Sequence, residues 1–320
     1  HYLPEDAAEQ IAGISAAVFD YDIALSKNGF LRPKVDIAID NCGMGGDMLR
    51  TPNISTLSAI IAAGANIPMC KHGSPANADA GRHGSSDFVA MILNKKDFVE
   101  LIGIPKEVVE TGIEEHCFGY TEALDQGYKR IHTLTHRASF IPHMNDIIGP
   151  MTNPTHKDIA RKKIVGVNHL IPPEIVAKAF KILNEKGVTA LEHGIFVRGY
   201  ADKDMDEGID ELSIMCGGSL IAELRNGKIV GPYRCYAKDL GVREVEYEEI
   251  NPQKDKGGFS RDILFGKVGG GTLEMVLANT ALIFYLQTGR DLRECYALAR
   301  DAFRSKKHLE TIERLKEHFK

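Results

Sequence analysis

The chain has 320 residues, 43% of them apolar and 26% charged, with a formal charge of −5, the balance of a soluble globular protein with a core large enough for one big domain or two. It shows no cluster of Lys and Arg of the kind that neutralises phosphates in a nucleic-acid binder, and no apolar run near the roughly 18 residues of a membrane helix. Its six cysteines stand singly, with no CxxC pair, which points to a reducing compartment, the cytoplasm. No signal peptide is visible, and a chain that opens on His1 rather than Met leads us to expect a further N-terminal piece.

Residues 4–19 carry acidic groups first and apolar groups at helical spacing after, which predicts an amphipathic helix. Residues 28–33 connect it to a strand over 35–39, rich in β-branched side chains and stopped by the glycine-rich stretch Asn41 to Asp47. Residues 57–65 read as a buried helix and 67–72 as a second strand ending at Gly73. A long polar loop, 74–87, follows; ordered loops of that length are usually functional. Helices are expected over 88–93 and 105–114, a strand near 116–120, and a basic, histidine-rich helix over 122–140. Residues 147–154 are turn-rich. A strand over 163–167, a helix over 173–186 and a strand over 189–193 resume the alternation, and Asn226-Gly227 should turn a hairpin within 220–231. Helices close the chain at 272–286 and 292–304. Repeated βα units predict an α/β domain with a largely parallel sheet.

Strand, glycine loop and helix in that order aim backbone N–H groups and a positive helix end at one point, which suits a phosphate. Asn53, Ser55 and Thr56 add short polar groups at the start of the helix. The plainer reading is a glycine turn with an Asn or Ser cap. Lys71, at the end of the next strand, supplies a cation at the same sheet edge. Asp210 and Glu211 are adjacent carboxylates that suit Mg²⁺ shared with substrate phosphates, although the acidic run 202–207 just upstream reads by itself as a solvated loop. His132 and His136 stand four apart without a third ligand at a convincing spacing. Cys42 and Cys70, at neighbouring strand ends, read as packed thiols.

Gly43-Met-Gly-Gly-Asp47, Asn53-Ile-Ser-Thr56, Lys71-His-Gly73, Gly149-Pro-Met-Thr-Asn-Pro154, His193-Gly194 and Asp210-Glu-Leu-Ser213 occur in an order that resembles the anthranilate phosphoribosyltransferases. Residues 222–229 and 238–241 look like that family as well, so the likeness runs from about residue 35 to the C-terminus. It implies a large α/β domain with a mostly parallel central sheet flanked by helices, plus a small helical domain, the architecture shared with nucleoside phosphorylases. The small domain would comprise 1–33 and 122–145, the large one 34–121 and 146–320. The likeness also implies a homodimer joined through the helical part, and transfer of the 5-phosphoribosyl group of 5-phosphoribosyl 1-pyrophosphate, bound with Mg²⁺, to anthranilate or a related aromatic amine.

By position, the resemblance assigns Gly43, Gly45, Gly46, Asp47, Asn53, Ser55, Thr56, Lys71 and Gly73 to the donor. It assigns Ser55, Asp210 and Glu211 to the metal, with Lys71, Asp210 and Glu211 as the catalytic set. His72, His136, Arg137, Gly149 and Pro150 would face the acceptor. The chain departs from the family where Met44 replaces the usual threonine, where Ser74-Pro75 replaces Asn-Arg, and in an acidic insertion over 195–209. Two other readings compete: a nucleoside phosphorylase, which needs no acidic metal pair, and a non-catalytic paralogue that binds nucleic acid or another ligand.

Overall fold

Five parallel strands form the centre of the molecule: β1 (Ile39–Gly43), β2 (Met69–Gly73), β3 (Phe118–Glu122), β4 (Lys162–Gly166) and β5 (His193–Tyr200). This computed structural model describes residues 3–46, 49–75, 84–123, 144–252 and 255–320. The two-residue β6 (Gly208–Ile209) pairs antiparallel with the end of β5, and β7 (Ser219–Arg225) and β8 (Lys228–Cys235) extend the sheet antiparallel, giving the order β3-β2-β1-β4-β5-β7-β8. The mostly parallel α/β sheet is therefore as expected. Asn226 and Gly227 both have positive φ, the requirement of the two-residue turn that joins β7 to β8.

Helices cover both faces. Against one lie α2 (Ile54–Gly64) and α8 (Gly271–Thr288), whose Leu57, Ile60, Val276 and Ile283 share a core with Ile39, Ile164 and Ile195. Against the other lie α1 (Ala7–Ala17) and α6 (Pro173–Glu185), where Ile11, Val176 and Phe180 pack with Val165 and Phe196. Alternate strand residues feed alternate cores, as the pleat requires. A π-helical turn, Val18–Ala24, continues α1, and its Phe19 and Ile23 enter the same second core. The remaining longer helices are α3 (Ser85–Ile92), α4 (Lys106–His116), α5 (Met144–Met151), α7 (Lys256–Leu264), α9 (Leu292–Arg304) and α10 (Lys307–His318).

Three expectations shift. The strand foreseen over 35–39 begins at Ile39, because both neighbours pair only from there: Ile39 aligns with Met69 on one side and Lys162 on the other. Asp40 and Asn41, which look like loop residues, are buried in the strand because Lys163 pairs with Asp40 and Asn41 Nδ2 donates to the Ser55 carbonyl. The strand foreseen over 189–193 starts at His193 and runs to Tyr200, where Ile195, Phe196 and Val197 are buried. The turn-rich stretch 147–154 proves to hold the last turns of α5, with Pro150 inside the helix. The basic helix expected over 122–140 lies outside the described residues, apart from Glu122 in β3 and Ala123.

Candidate active site

β1 and β4 both end in glycine, Gly43 beside Gly166, and the reason is the Asp210 backbone and side chain that lie on them. A Cβ on Gly43 would fall 1.9 Å from Asp210 Oδ2, and one on Gly166 would fall 1.5 Å from the Asp210 carbonyl oxygen. Beyond the strand, Gly45 and Gly46 both take positive φ, a conformation open to glycine at no steric cost. The turn aims the Gly45 N–H at Asp210 Oδ2, 2.8 Å away. The glycine loop and the acidic pair thus meet directly. Glu211, buried beside it, accepts from Thr51 Oγ1 at 3.5 Å. Burial first, and then the neighbouring Asp210 carboxylate, push the Glu211 carboxyl well above the usual range.

Lys71 of β2 is 1% exposed. Its Nζ donates to the Asn41 carbonyl at 2.7 Å and to Ser55 Oγ at 3.4 Å, directly beneath the start of α2. Burial lowers its pKa, against the opposing pull of Asp40 and Asp210 among others. Asn53 is anchored from a distant helix: its backbone N–H and Nδ2 both donate to Ser260 Oγ of α7, at 2.9 and 3.2 Å. Thr56 Oγ1 is buried with no hydrogen-bond partner among the described residues. Gly73 lets α3 approach, since a Cβ there would lie 2.1 Å from Ser85 Oγ and 2.5 Å from Tyr120 OH. Ser85 clips the strand end by accepting from Ser74 N–H and donating to the Ser74 carbonyl. Ser86 joins Tyr120 and Glu122 in a buried hydrogen-bonded set.

On the other face of the same strand ends, His72 Nδ1 lies 3.2 Å from the Thr152 carbonyl, and burial depresses its pKa. Pro150 accepts a long contact from Cys42 Sγ at 3.6 Å, and a Cβ on Gly149 would meet open space. Alternation along β2 therefore separates Lys71 from His72 across the sheet. Cys42 and Cys70 are buried free thiols, as read from the sequence. Asp47, His132, His136 and Arg137 lie outside the described residues.

One sequence match is misplaced. His193-Gly194 begins β5, at the sheet edge opposite Gly43 and Gly166, because β5 pairs with β4 from Lys162 upward. Arg198-Gly199 occupies the near end, where a Cβ on Gly199 would lie 2.5 Å from the Glu211 carbonyl oxygen. Thr51 lies in the segment between the glycine loop and α2 but has no role assigned from sequence, and nothing local marks Ser260 or Tyr120 as site residues.

Comparison with known proteins follows the same outline. Residues 35–307 match the glycosyl transferase family, a/b domain. The anthranilate phosphoribosyltransferase of Methanosarcina barkeri is 32% identical over 287 residues, 87% of this chain and 70% of that protein. The Anaeromyxobacter enzyme of the same name is 30% identical over 94% of this chain and 80% of its own length. The chain belongs to the anthranilate phosphoribosyltransferase family. The family member from Thermus thermophilus superposes with a TM-score of 0.76 at 25% identity, over 98% of this chain and 85% of that one. The Saccharomyces cerevisiae enzyme, solved in complex with PRPP and Mg, shares the fold with a TM-score of 0.75 at 22% identity, over 98% and 80%. Within this family frame the paired carboxylates suit a hard divalent ion. Asp210 and Glu211 offer only two carboxylates, and Mg²⁺ commonly takes one or two carboxylates and completes its shell with water and substrate phosphate. Among the described residues no third His, Cys, Asp or Glu joins them.

Proposed function

We infer that this chain transfers the 5-phosphoribosyl group of 5-phosphoribosyl 1-pyrophosphate to anthranilate or a related aromatic amine, with Mg²⁺, and releases pyrophosphate. The observation that carries the reading is the hydrogen bond from Gly45 N–H to Asp210 Oδ2, which joins a phosphate-type loop to a metal-type carboxylate pair. In this reading Gly43, Gly45, Gly46 and Asp47 face the ribose and diphosphate. The start of α2, with Asn53, Ser55 and Thr56, receives phosphate through N–H groups and the positive helix end. Lys71, held beneath Ser55, adds fixed positive charge that costs no reorganisation as the C1–O bond opens. Asp210, Glu211 and Ser55 would hold Mg²⁺, which neutralises charge on the departing pyrophosphate. A neutral arylamine needs positioning more than a strong base. We assign that positioning to His72, Gly149 and Pro150, on the other face of the strand ends, together with His136 and Arg137.

A pyrophosphate-release assay with the donor, Mg²⁺ and a panel of anthranilate, other aromatic amines and nucleobases tests this. Release with at least one aromatic amine is expected. No release with any of them, or phosphate-dependent cleavage of a nucleoside in its place, rejects it in favour of the phosphorylase reading.

The division into a small helical domain (1–33 and 122–145) and a large α/β domain is part of the same proposal, as is a homodimer. Ile14, Tyr21 and Leu25 are exposed at helical spacing on the N-terminal segment, an apolar stripe that supports pairing through that part. Light scattering should report a dimer that Tyr21→Asp with Leu25→Asp dissociates. The cytoplasmic reading has the support of six free cysteines. No helix among the described residues is long and apolar enough to cross a membrane.

A further inference from the structure

Asp40 and Lys163 form a buried ion pair that the phosphoribosyl chemistry does not use. They stand three residues before Gly43 and Gly166 on parallel strands, about 10 Å from the sheet's catalytic edge at the usual rise. Their side chains point away from α2, since Asn41 and Ile164, the next residues along, face it. Both charged groups line a cavity of about 280 Å³. Phe19 and Phe30 of the N-terminal segment, Phe180 of α6 and Val188 from the turn before β5 form its walls. Phe19 and Phe30 stack with centroids 6.4 Å apart. A dry cavity of about 150 Å³ takes benzene, so this one has room for a single ring with a substituent.

The polar groups decide the substituent. An ammonium has three N–H donors, and among the described residues Lys163 Nζ has only Asp40 as a hydrogen-bond partner. Two donors are left unspent on a side chain 6% exposed, a costly state that a ligand acceptor relieves. Asp40 is the weaker candidate for receiving a ligand donor, because it already accepts from Lys163 and, more loosely, from His72 N–H at 3.4 Å. Thr155 Oγ1, also in the lining, is buried and, among the described residues, has at most the weak Cys70 thiol as a hydrogen-bond partner. Asp20 and Lys157, the more exposed charges of the lining, offset each other.

We propose that this cavity is a second ligand site, separate from the catalytic edge, for a small aromatic monocarboxylate: its ring lies among Phe19, Phe30 and Phe180 and its carboxylate on Lys163 Nζ. The site does not depend on the transfer reaction. It takes its specificity from an acceptor-rich head and an apolar ring, so a neutral ring of equal size binds less well.

Benzoate is the probe, soaked into crystals and titrated against protein labelled at the methyl groups of Met151 and Leu191, which also line the cavity. Density for benzoate on Lys163 and saturable shifts of both methyls are expected, with benzyl alcohol at least tenfold weaker. Val188→Trp, which adds bulk to the cavity wall, should weaken benzoate at these reporters at least tenfold while the melting curve is kept. Asp40→Asn with Lys163→Met removes both charges together and should bring benzoate down to the affinity of benzyl alcohol. If that double variant fails to fold, Val188→Trp still decides the matter. Benzoate found only at the catalytic edge, equal binding of benzyl alcohol, or unchanged affinity in Val188→Trp overturns the proposal.

Discussion

Gly45 and Asp210, 165 positions apart in the chain, are joined by a 2.8 Å hydrogen bond from backbone to carboxylate. The bond fixes the glycine loop against the acidic pair before any donor arrives. Asp210→Asn keeps an acceptor for the Gly45 N–H, so it should cost only about 1 kcal/mol of stability. Combined with Glu211→Gln it should lower Mg²⁺-dependent pyrophosphate release by about 100-fold or more. Turnover within a factor of three of the parent would remove the metal assignment.

Gly43→Ala should act on the same contact from below. Its new methyl would land 1.9 Å from Asp210 Oδ2, so the carboxylate must swing away. Overpacking of this kind costs about 1–3 kcal/mol, and displacing the proposed metal ligand should add a loss of turnover. Thermal melting and the Mg²⁺ concentration at half-maximal rate report the two effects. A variant with the parent's melting point and Mg²⁺ response would show that Asp210 has freedom the geometry denies it.

Ser260 tests whether a distant helix positions the donor loop. Ser260→Ala removes the acceptor for Asn53 N–H and Nδ2. A buried donor left unpaired costs about 1–3 kcal/mol. Calorimetry with 5-phosphoribosyl 1-pyrophosphate should show weaker binding, with affinity for the aromatic acceptor unchanged. Donor affinity equal to the parent's would reduce Ser260 to a packing residue.

Glu223 joins β7 to its neighbours away from the site. Burial raises its pKa, but hydrogen bonds from His193, Tyr233 and Arg225 outweigh that and bring it down to about 2, from an ordinary 4.5. Between those values the unfolded chain binds the extra proton. The contribution is therefore complete above pH 4.5 and lost as pH falls towards 2, at most about 3 kcal/mol. Glu223→Gln should flatten the stability profile over that window. A profile as steep as the parent's would place the acid sensitivity elsewhere.

Thiol chemistry provides a check on the strand assignments. Burial pushes the Cys42 thiol up to about 12 and raises that of Cys70 as well, and only a thiolate alkylates. Iodoacetamide on the folded protein should modify the partly exposed Cys117 and Cys216 before either of them. Early labelling of Cys42, read by mass spectrometry, would mean that β1 is not covered as described.

Local chemistry made much of this protein readable from its sequence. Glycines that only a tight turn needs, an Asn-Gly hairpin, β-branched runs and the Lys71 and Asp210-Glu211 groups announce the parallel α/β sheet, the donor-type loop and a metal-type pair, because each depends on neighbours within a few residues. The tertiary structure decided the rest. Parallel pairing moved β1 to Ile39–Gly43 and buried Asp40 and Asn41, whose polar groups are met by Lys163 and the His72 N–H for the one and by the Ser55 carbonyl for the other. Parallel pairing also moved His193-Gly194 to the wrong edge and put Arg198-Gly199 at the right one. Ser260 became the anchor of Asn53 from 207 positions away. Such contacts leave no local trace, since a strand's register and a buried polar group's partner are set by segments that meet only when the chain has folded.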